Sequence, residues 1–216
     1  MTTTTHPDFD MLSAYAAGTL SDGMSLLVAS HLTYCPECRA RVAEIEALGA
    51  AAFASAPEPQ PINGASDAML DAIFAEIDTG PGPAKPAVEP GSPLPAPIRS
   101  EIGVRFDDLP WKFRLPGLHE CMLEGFDGEE VSLLRARPGV RMLSHTHQGE
   151  EATLILSGAM RDGERTYRRG DVAIADSDDD HRPEIVGDEV CVCLIVMSGG
   201  MQFTGRFTRA LNILNR

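Results

Sequence analysis

The chain has 216 residues, 43% of them hydrophobic, with a formal net charge of −14, which is enough for two modest domains. Five cysteines, an odd number, do not make a disulfide framework at this length, so they indicate a reducing compartment. The first residues lack the basic and apolar regions of a secretory signal, and no apolar run is long enough to span a membrane. We therefore expect a soluble, cytoplasmic protein.

Acidic side chains are concentrated in the first part of the chain. Residues 1–97 hold 12 acidic and 3 basic side chains, a net charge of −9, whereas residues 98–216 hold 20 and 15, a net charge of −5. The phosphates of DNA would repel such an acidic half, so we do not expect direct contact with nucleic acid. The same charge would attract a basic protein partner, although acidity can also serve solubility alone.

Helical periodicity covers the first 78 residues and predicts four helices. The first three run over residues 7–18, 21–32 and 36–53. Proline favours the first position of a helix, so Pro36 makes Cys35 the predicted N-cap of the third helix. Three helices of this length can pack together as a small bundle.

The fourth predicted helix begins at Ser66 or Asp67 and carries a broad apolar stripe. The stripe consists of Met69, Leu70, Ile73, Phe74 and Ile77. Pro-rich segments flank this helix, so little surface adjacent in sequence is available to cover it. It either packs on the other three helices or forms part of a protein-binding face, and the sequence leaves both open.

Residues 79–97 contain seven prolines in 19 positions, which is typical of an extended linker that lets two domains move. From Ile98 onward the apolar period changes to two, and Asp127-Gly128 and Asp162-Gly163 are hairpin turn signals. The predicted strands are residues 119–126, 130–136, 152–156, 160–167, 171–175, 181–185 and 190–197. They indicate a small β-barrel or double-sheet jelly roll over residues 98–216, in which the residues from Gly205 onward add a short helix.

A first metal cluster is indicated by the spacing His31-x3-Cys35-x2-Cys38. Both cysteines lie at the start of the third helix, where the helix dipole favours the thiolate. A thioredoxin-like redox pair is the alternative, but no strand–helix–strand pattern surrounds these cysteines. A structural zinc site needs a fourth ligand, and His6 is the only other histidine in this half of the chain.

These residues resemble the zinc-binding anti-sigma domain, whose motif is H-x3-C-x2-C with an additional upstream histidine. The resemblance covers residues 1–78 and implies that His6 completes a zinc site with His31, Cys35 and Cys38. It further implies a four-helix domain that holds a sigma factor away from RNA polymerase.

A second metal cluster is indicated by His145 and His147, which alternate along a strand and so face the barrel interior together. The stretch Gly139-x5-His145-x-His147-x3-Glu151-x6-Gly158 resembles the first motif of the cupin family. The resemblance implies that His181 is the last ligand, although residues 176–180 replace the usual Pro-x-Gly turn. Three imidazoles and a carboxylate suit zinc, iron, manganese or nickel, so we expect a second divalent metal.

Both modules in this order resemble the ChrR-type anti-sigma factors over nearly the whole chain. That resemblance implies a regulator that binds an extracytoplasmic-function (ECF, group IV) sigma factor, one to one, through residues 1–78. It also implies release of the sigma factor on oxidative stress, such as singlet oxygen or a hydroperoxide, sensed by the cupin domain. A metal-dependent cupin enzyme of the dioxygenase kind is the alternative, but the zinc module and the linker do not serve small-molecule catalysis.

Cys191 and Cys193 lie two apart on a predicted strand and therefore share one face of it. Buried packing is the more common role of such cysteines. A redox-sensing pair is the alternative.

Overall fold

The computed structural model describes residues 3–57, 66–79 and 91–205. Within them are five α-helices: α1 (Phe9–Ala16), α2 (Asp22–Leu32), α3 (Pro36–Ala54), α4 (Asp67–Thr79) and α5 (Ala96–Ile102). The same residues contain a short 3-10 helix at Phe106–Asp108 and eleven strands. The strands are β1 (Lys112–Leu115), β2 (Leu118–Leu123), β3 (Glu130–Ala136), β4 (His145–His147), β5 (Glu151–Ser157), β6 (Ala159–Asp162), β7 (Arg165–Arg168), β8 (Val172–Ala175), β9 (Glu184–Val186), β10 (Cys191–Met197) and β11 (Met201–Phe203).

Helices α1 and α3 begin at side-chain caps that the sequence supplies. The carboxylate of Asp8 accepts a hydrogen bond from the backbone N–H of Met11 (2.7 Å) at the start of α1. Cys35 is the predicted N-cap of α3, and its Sγ accepts from the N–H of Cys38 (3.3 Å). Together with α2, these helices enclose a small apolar cluster: Leu12, Val28, Cys35, Cys38 and Val42.

The β-domain is built from antiparallel strands in two main sheets. Six strands follow the order β1-β2-β3-β10-β5-β8, three follow β7-β6-β9, and β4 pairs with β11. Strand β10 is buried on both faces. Val192, Leu194 and Val196 belong to the cluster that contains α2 and α5, whereas Cys191 and Cys193 belong to the cluster between the two sheets. The β-domain is therefore a double-sheet structure with helices packed on one outer face.

Helix α2 joins the helical region to the β-domain. Met24, Leu26 and Leu27 are buried in one cluster with side chains of the six-stranded sheet and of α5. Gly23 permits this close approach, since a Cβ there would lie 2.7 Å from Val131 Cγ2. Glu129 of the β-domain also accepts from Ser21 Oγ (2.6 Å) and from the N–H of Gly23 (3.0 Å) at the start of α2. The two regions thus share a core.

This shared core is not part of the predicted organisation, in which residues 79–97 are a linker that lets two domains move relative to one another. Helix α5 is also absent from the predicted elements, although it begins within that Pro-rich segment, and Leu94 and Ile98 are buried. Proline is tolerated in the first turn of a helix, so Pro97 does not prevent helix formation. The domain boundaries at residues 78 and 98 stay predictions, and residues 80–90 lie outside the described part.

The predicted helices correspond in position to α1–α4, and the predicted strands fall on β2, β3 and β5–β10 with small shifts. The segment predicted as one strand at 160–167 is two strands, β6 and β7, that meet at Gly163. Strands β1 and β11 are absent from the predicted elements. The terminal helix predicted from Gly205 onward falls on residues 206–216, outside the described part. None of the described helices is long and apolar enough to cross a membrane.

Candidate metal centres

The four residues predicted to bind zinc meet at one point, named here the N-terminal cluster. His6 precedes α1, His31 lies in the last turn of α2, Cys35 caps α3, and Cys38 lies in the first turn of α3. Their nearest nitrogen and sulfur atoms all lie within 4.8 Å of one another. The structure therefore brings His6 to the H-x3-C-x2-C motif from 25 residues upstream of His31.

The spacing of these atoms fits a tetrahedral ion. His6 Nδ1 lies 3.3 Å from Cys35 Sγ and 3.4 Å from Cys38 Sγ. Tetrahedral zinc, with Zn–S of about 2.3 Å and Zn–N of about 2.0 Å, separates nitrogen and sulfur ligands by about 3.5 Å. The rings of His6 and His31 stand at 90° to each other, with centroids 5.7 Å apart. The donor set and the distances suit zinc.

The protonation state of His31 is fixed by a hydrogen bond to the β-domain. Its Nδ1 lies 2.7 Å from the carbonyl oxygen of Gly170, which can only accept, so Nδ1 carries the hydrogen. Its Nε2 is buried with no hydrogen-bond partner among the described residues. Burial lowers the pKa of His31, which keeps the ring neutral. A buried nitrogen lone pair beside two cysteines is what a metal ligand requires.

The two cysteines differ in acidity. Burial alone would raise the pKa of the Cys35 thiol, but the backbone N–H of Cys38 and further donors outweigh it, and the pKa is lowered. Burial, with the neighbouring Cys35 adding to it, raises the pKa of Cys38 to about 12. Cys35 therefore ionises more readily than Cys38. A divalent cation would stabilise the second thiolate as well.

Three histidines of the β-domain form a second group, named here the β-domain cluster. His145 and His147 share a face of β4, and His181 pairs with His145 through two backbone hydrogen bonds of 3.2 and 3.1 Å. His147 Nε2 and His181 Nε2 are 2.9 Å apart, and one nitrogen of each ring lies within 4.8 Å of the others. The predicted face-sharing of the two β4 histidines agrees with this geometry.

Glu151 lies at the edge of this cluster. Its Oε2 is 3.6 Å from His147 Nε2, and its Oε1 accepts from Thr153 Oγ1 (3.1 Å). Burial raises the pKa of Glu151. The carboxylate therefore approaches the cluster beside His147, and its role as a ligand stays a prediction.

Two further groups orient the imidazoles, and the motif analysis does not identify either. Asp162 Oδ2 lies 2.7 Å from His181 Nδ1, and the carbonyl oxygen of Leu143 lies 2.6 Å from His145 Nδ1. Each acceptor leaves Nε2 of the histidine as the free ligand atom. In the sequence Asp162 is a hairpin residue 19 positions from His181, so local spacing carries no signal of this contact.

The three histidines of the β-domain cluster differ in the direction in which their pKa is shifted. Burial lowers the pKa of His147 to about 4 and lowers that of His145. Burial would also lower the pKa of His181, but the hydrogen bond and charge of Asp162 and the charge of Glu151 outweigh it, and the pKa is raised. The two β4 histidines therefore remain neutral, as metal ligands must.

Cys191 and Cys193 are buried on β10 with their sulfur atoms 3.6 Å apart. The hydrogen bond between them and their burial raise the pKa of Cys193 far above that of an ordinary thiol. This position suits packing, since a reactive thiolate needs a lowered pKa. A redox role for the pair stays a prediction.

Two known families match parts of the chain. Residues 99–200 match the family described as "ChrR Cupin-like domain", and this range contains all four residues predicted to bind the second metal. Residues 9–39 match the family described as "Putative zinc-finger". The second match includes His31, Cys35 and Cys38, and together with the N-terminal cluster it indicates zinc in this region.

Individual proteins resemble the chain over most of its length. The "Anti-sigma-E factor ChrR" of Cereibacter sphaeroides is 34% identical over 204 residues, which is 94% of this chain and 93% of that protein. The crystal structure of Rhodobacter sphaeroides SigE in complex with the anti-sigma ChrR matches with a TM-score of 0.76 and 32% identity. That match covers 91% of this chain and 100% of the other.

A partial match of lower similarity falls on an RmlC-like cupin of Ralstonia eutropha, with 21% identity and a TM-score of 0.41. It covers 47% of this chain and 70% of that protein.

Proposed function

Because the chain belongs to the ChrR family of anti-sigma factors, we propose that it binds an ECF (group IV) sigma factor one to one and keeps it from RNA polymerase. The observation that carries this proposal is the likeness to a named anti-sigma factor over 94% of the chain. The likeness covers 93% of that relative, whose name describes a regulator, and this favours regulation over the cupin-enzyme alternative.

In this proposal the N-terminal cluster binds zinc through His6, His31, Cys35 and Cys38. The zinc cross-links the segment before α1, the end of α2 and the start of α3, so that three short helices hold one arrangement. The buried and unpartnered Nε2 of His31 and the nitrogen–sulfur distances of 3.3 and 3.4 Å, all among the described residues, support this assignment.

The proposal assigns a second divalent metal to the β-domain through His145, His147, Glu151 and His181. When bound, such a metal would supply a Lewis-acidic centre that can coordinate the oxygen atoms of a hydroperoxide. Burial keeps His145 and His147 neutral, and Asp162 orients the ring of His181. We assign the release of the sigma factor under oxidative stress to the β-domain. We further propose that this domain, within residues 98–216, is a closed jelly-roll barrel.

Helix α4 supplies part of the proposed sigma-binding face, within a four-helix region over residues 1–78. Its apolar side chains are between 50% and 66% exposed: Met69, Leu70, Ile73, Phe74 and Ile77. A stripe of this kind on one helix fits an apolar groove of a protein partner. The acidic charge of residues 1–97 adds attraction to a partner whose DNA-binding surface is basic.

The test is co-expression of the full chain with an ECF sigma factor encoded beside its gene. We expect a 1:1 complex that contains zinc and fails to support sigma-dependent transcription in vitro. Cys38→Ala should lose zinc and release the sigma factor, because a three-ligand site binds zinc far more weakly. A chain that purifies without the sigma factor and turns over a small molecule with bound iron would contradict the proposal.

A further inference from the structure

We propose that the turn between β7 and β8, residues 168–171, is an integral part of the N-terminal metal centre and positions both of its histidine ligands. This inference rests on the zinc centre of the proposed function. It makes zinc affinity a property of the β-domain as well as of the helices. Two separate sets of contacts carry it, one to the ring of His31 and one to the segment that leads into His6.

The first contact fixes the His31 ring. The carbonyl oxygen of Gly170, 139 residues away in sequence, accepts the hydrogen of Nδ1 at 2.7 Å. Acceptors of this kind set the ring orientation and the tautomer of a metal-bound histidine. The helical region supplies Nε2 as the ligand, and the β-domain decides where that nitrogen points.

The second contact fixes the segment that leads into His6. The carboxylate of Asp171 is buried, and its Oδ1 accepts from the backbone N–H of Thr4 (2.5 Å) and of Thr5 (3.1 Å). The N–H of Val172 donates to the carbonyl oxygen of Thr5 (3.2 Å). Residues 4 and 5 are thus bound along the start of β8, and His6 follows directly.

The same carboxylate ties this segment to the shape of the turn. Asp171 Oδ2 accepts from the backbone N–H of Arg168 (2.8 Å) and from Thr4 Oγ1 (3.1 Å). A buried carboxylate is costly unless hydrogen bonds satisfy it, and the donors here come from both the turn and the N-terminal segment. Neither the turn nor the N-terminal segment can move away without removing hydrogen bonds from this buried carboxylate.

Gly170 allows the turn to come this close. Its φ of +92° favours glycine, and a Cβ there would lie 2.8 Å from Thr3 Cγ2 and 2.9 Å from Tyr34 Cβ. Thr3 lies just before His6 in the chain, and Tyr34 lies between the ligands His31 and Cys35. The Arg169 guanidinium also stacks on the Tyr34 ring, with its carbon 4.9 Å from the ring centroid.

The turn is held on its other side by β5. The N–H of Gly170 donates to the carbonyl oxygen of Ile155 (2.8 Å), and the N–H of Ile155 donates to that of Asp171 (3.1 Å). Strand β5 begins at Glu151, at the edge of the β-domain cluster. The strand that carries Glu151 therefore also supports the turn that positions His31 and His6.

The experiment measures metal affinity of the full chain with Co²⁺ as the probe, because thiolate-to-cobalt absorption reports only the N-terminal cluster. Gly170→Ala pushes a Cβ into Thr3 and Tyr34, and its matched control is Gly187→Ala. Gly187 lies in another β-domain turn with a similar φ of +85°, and an added Cβ there would meet no described neighbour within 4 Å. We expect a loss of about 10- to 100-fold in affinity for Gly170→Ala and none for Gly187→Ala.

Asp171→Asn is the second variant. It keeps the size of the side chain but places an amide N–H₂ against the N–H of Arg168, so that two donors face each other. We therefore expect a loss of metal affinity of the same order. This variant decides the test if Gly170→Ala does not fold. Wild-type affinity and absorption in a folded Asp171→Asn chain would overturn the proposal.

His31→Ala separates this inference from the zinc centre on which it rests. Loss of affinity in His31→Ala but not in the two turn variants would leave zinc at the cluster and refute only the role of the turn. Wild-type affinity in His31→Ala would refute the zinc centre itself.

Discussion

Helices α2 and α4 both carry apolar side chains, but within the described part of the chain only those of α2 are covered. In α2, Leu27 is buried against the six-stranded sheet and Val28 against α1 and α3, so apolar residues occupy more than one face. In α4 the apolar residues form one stripe that stays at least half exposed. Burial on several sides is typical of a helix that holds the fold together, whereas an exposed apolar stripe on an amphipathic helix is typical of a surface that binds a partner.

The largest expected effect comes from removing a buried side chain where α2 packs on the β-domain. Leu27→Ala should lower the free energy of unfolding by about 2–5 kcal/mol, because Leu27 is fully buried where the helices meet the sheet. Chemical denaturation of the full chain measures this. Leu48→Ala on α3, where the side chain is 73% exposed, is the control and should change stability by less than about 0.5 kcal/mol. Equal effects of the two variants would show that α2 is not a structural helix.

The converse experiment alters the bare stripe of α4. Phe74→Ala should leave stability unchanged but weaken sigma-factor binding by about 2 kcal/mol, roughly 30-fold, as expected for an aromatic side chain central to an interface. Titration calorimetry with the purified sigma factor measures the affinity. Phe113→Ala in β1 removes a similarly exposed phenylalanine from the β-domain and is the control. Unchanged affinity in Phe74→Ala would refute the assignment of α4 to the interface.

The sequence predicts local structure and motif chemistry well because both depend on residues close together in the chain. Cys35 as N-cap, with Pro36 after it, follows from helix-start preferences, and the face shared by His145 and His147 follows from strand periodicity. The four helical segments follow from apolar spacing in the same way.

What covers a helix is decided by residues far away, and the sequence does not show it. The partners of α2, Glu129 and Val131, lie more than a hundred positions beyond Gly23. Asp162 and Gly170 are missed as supports of the metal clusters for the same reason, since each looks like an ordinary turn residue. Helix α5 is missed because Pro97 signals a linker when it stands among six other prolines.

A third prediction leaves both helices intact and removes the β-domain cluster. The double variant His145→Ala and His147→Ala should lose the second metal, keep inhibition of the sigma factor, and lose the transcriptional response to singlet oxygen or hydroperoxide. Inhibition persists because α4 and the N-terminal cluster are unchanged. A reporter strain with and without stress measures this, with Phe113→Ala as the control.

Two outcomes of that experiment would change the interpretation. Constitutive transcription without stress would mean that the β-domain contributes to inhibition. The packing of α2 on the β-domain is the contact through which it would do so. A full response would exclude the second metal as the sensor and leave the cysteines of the N-terminal cluster or Cys191 and Cys193 as candidates.

The smallest expected effect is the order in which the histidines of the β-domain cluster take up protons after the metal is removed. Burial lowers the pKa of His147 to about 4, whereas Asp162 and Glu151 raise that of His181. As pH falls, His181 should therefore gain its proton first and His147 last. NMR titration of the imidazole nitrogens measures both.

The pKa shifts of His147 and His181 change the stability of the folded chain in opposite directions as pH falls. The unfolded chain protonates His147 near its ordinary pKa of about 6.5 but the folded chain does not, so this residue costs stability as pH falls from about 6.5 toward 4. His181 is protonated more readily in the folded chain, so its contribution is present below about 6.5 and is lost as pH rises through its raised pKa. Asp162→Asn should lower the pKa of His181 and reduce that contribution, while Asp178→Asn, in the exposed loop before His181, is the control. A His181 pKa that does not respond to Asp162→Asn would show that the 2.7 Å contact does not set its charge.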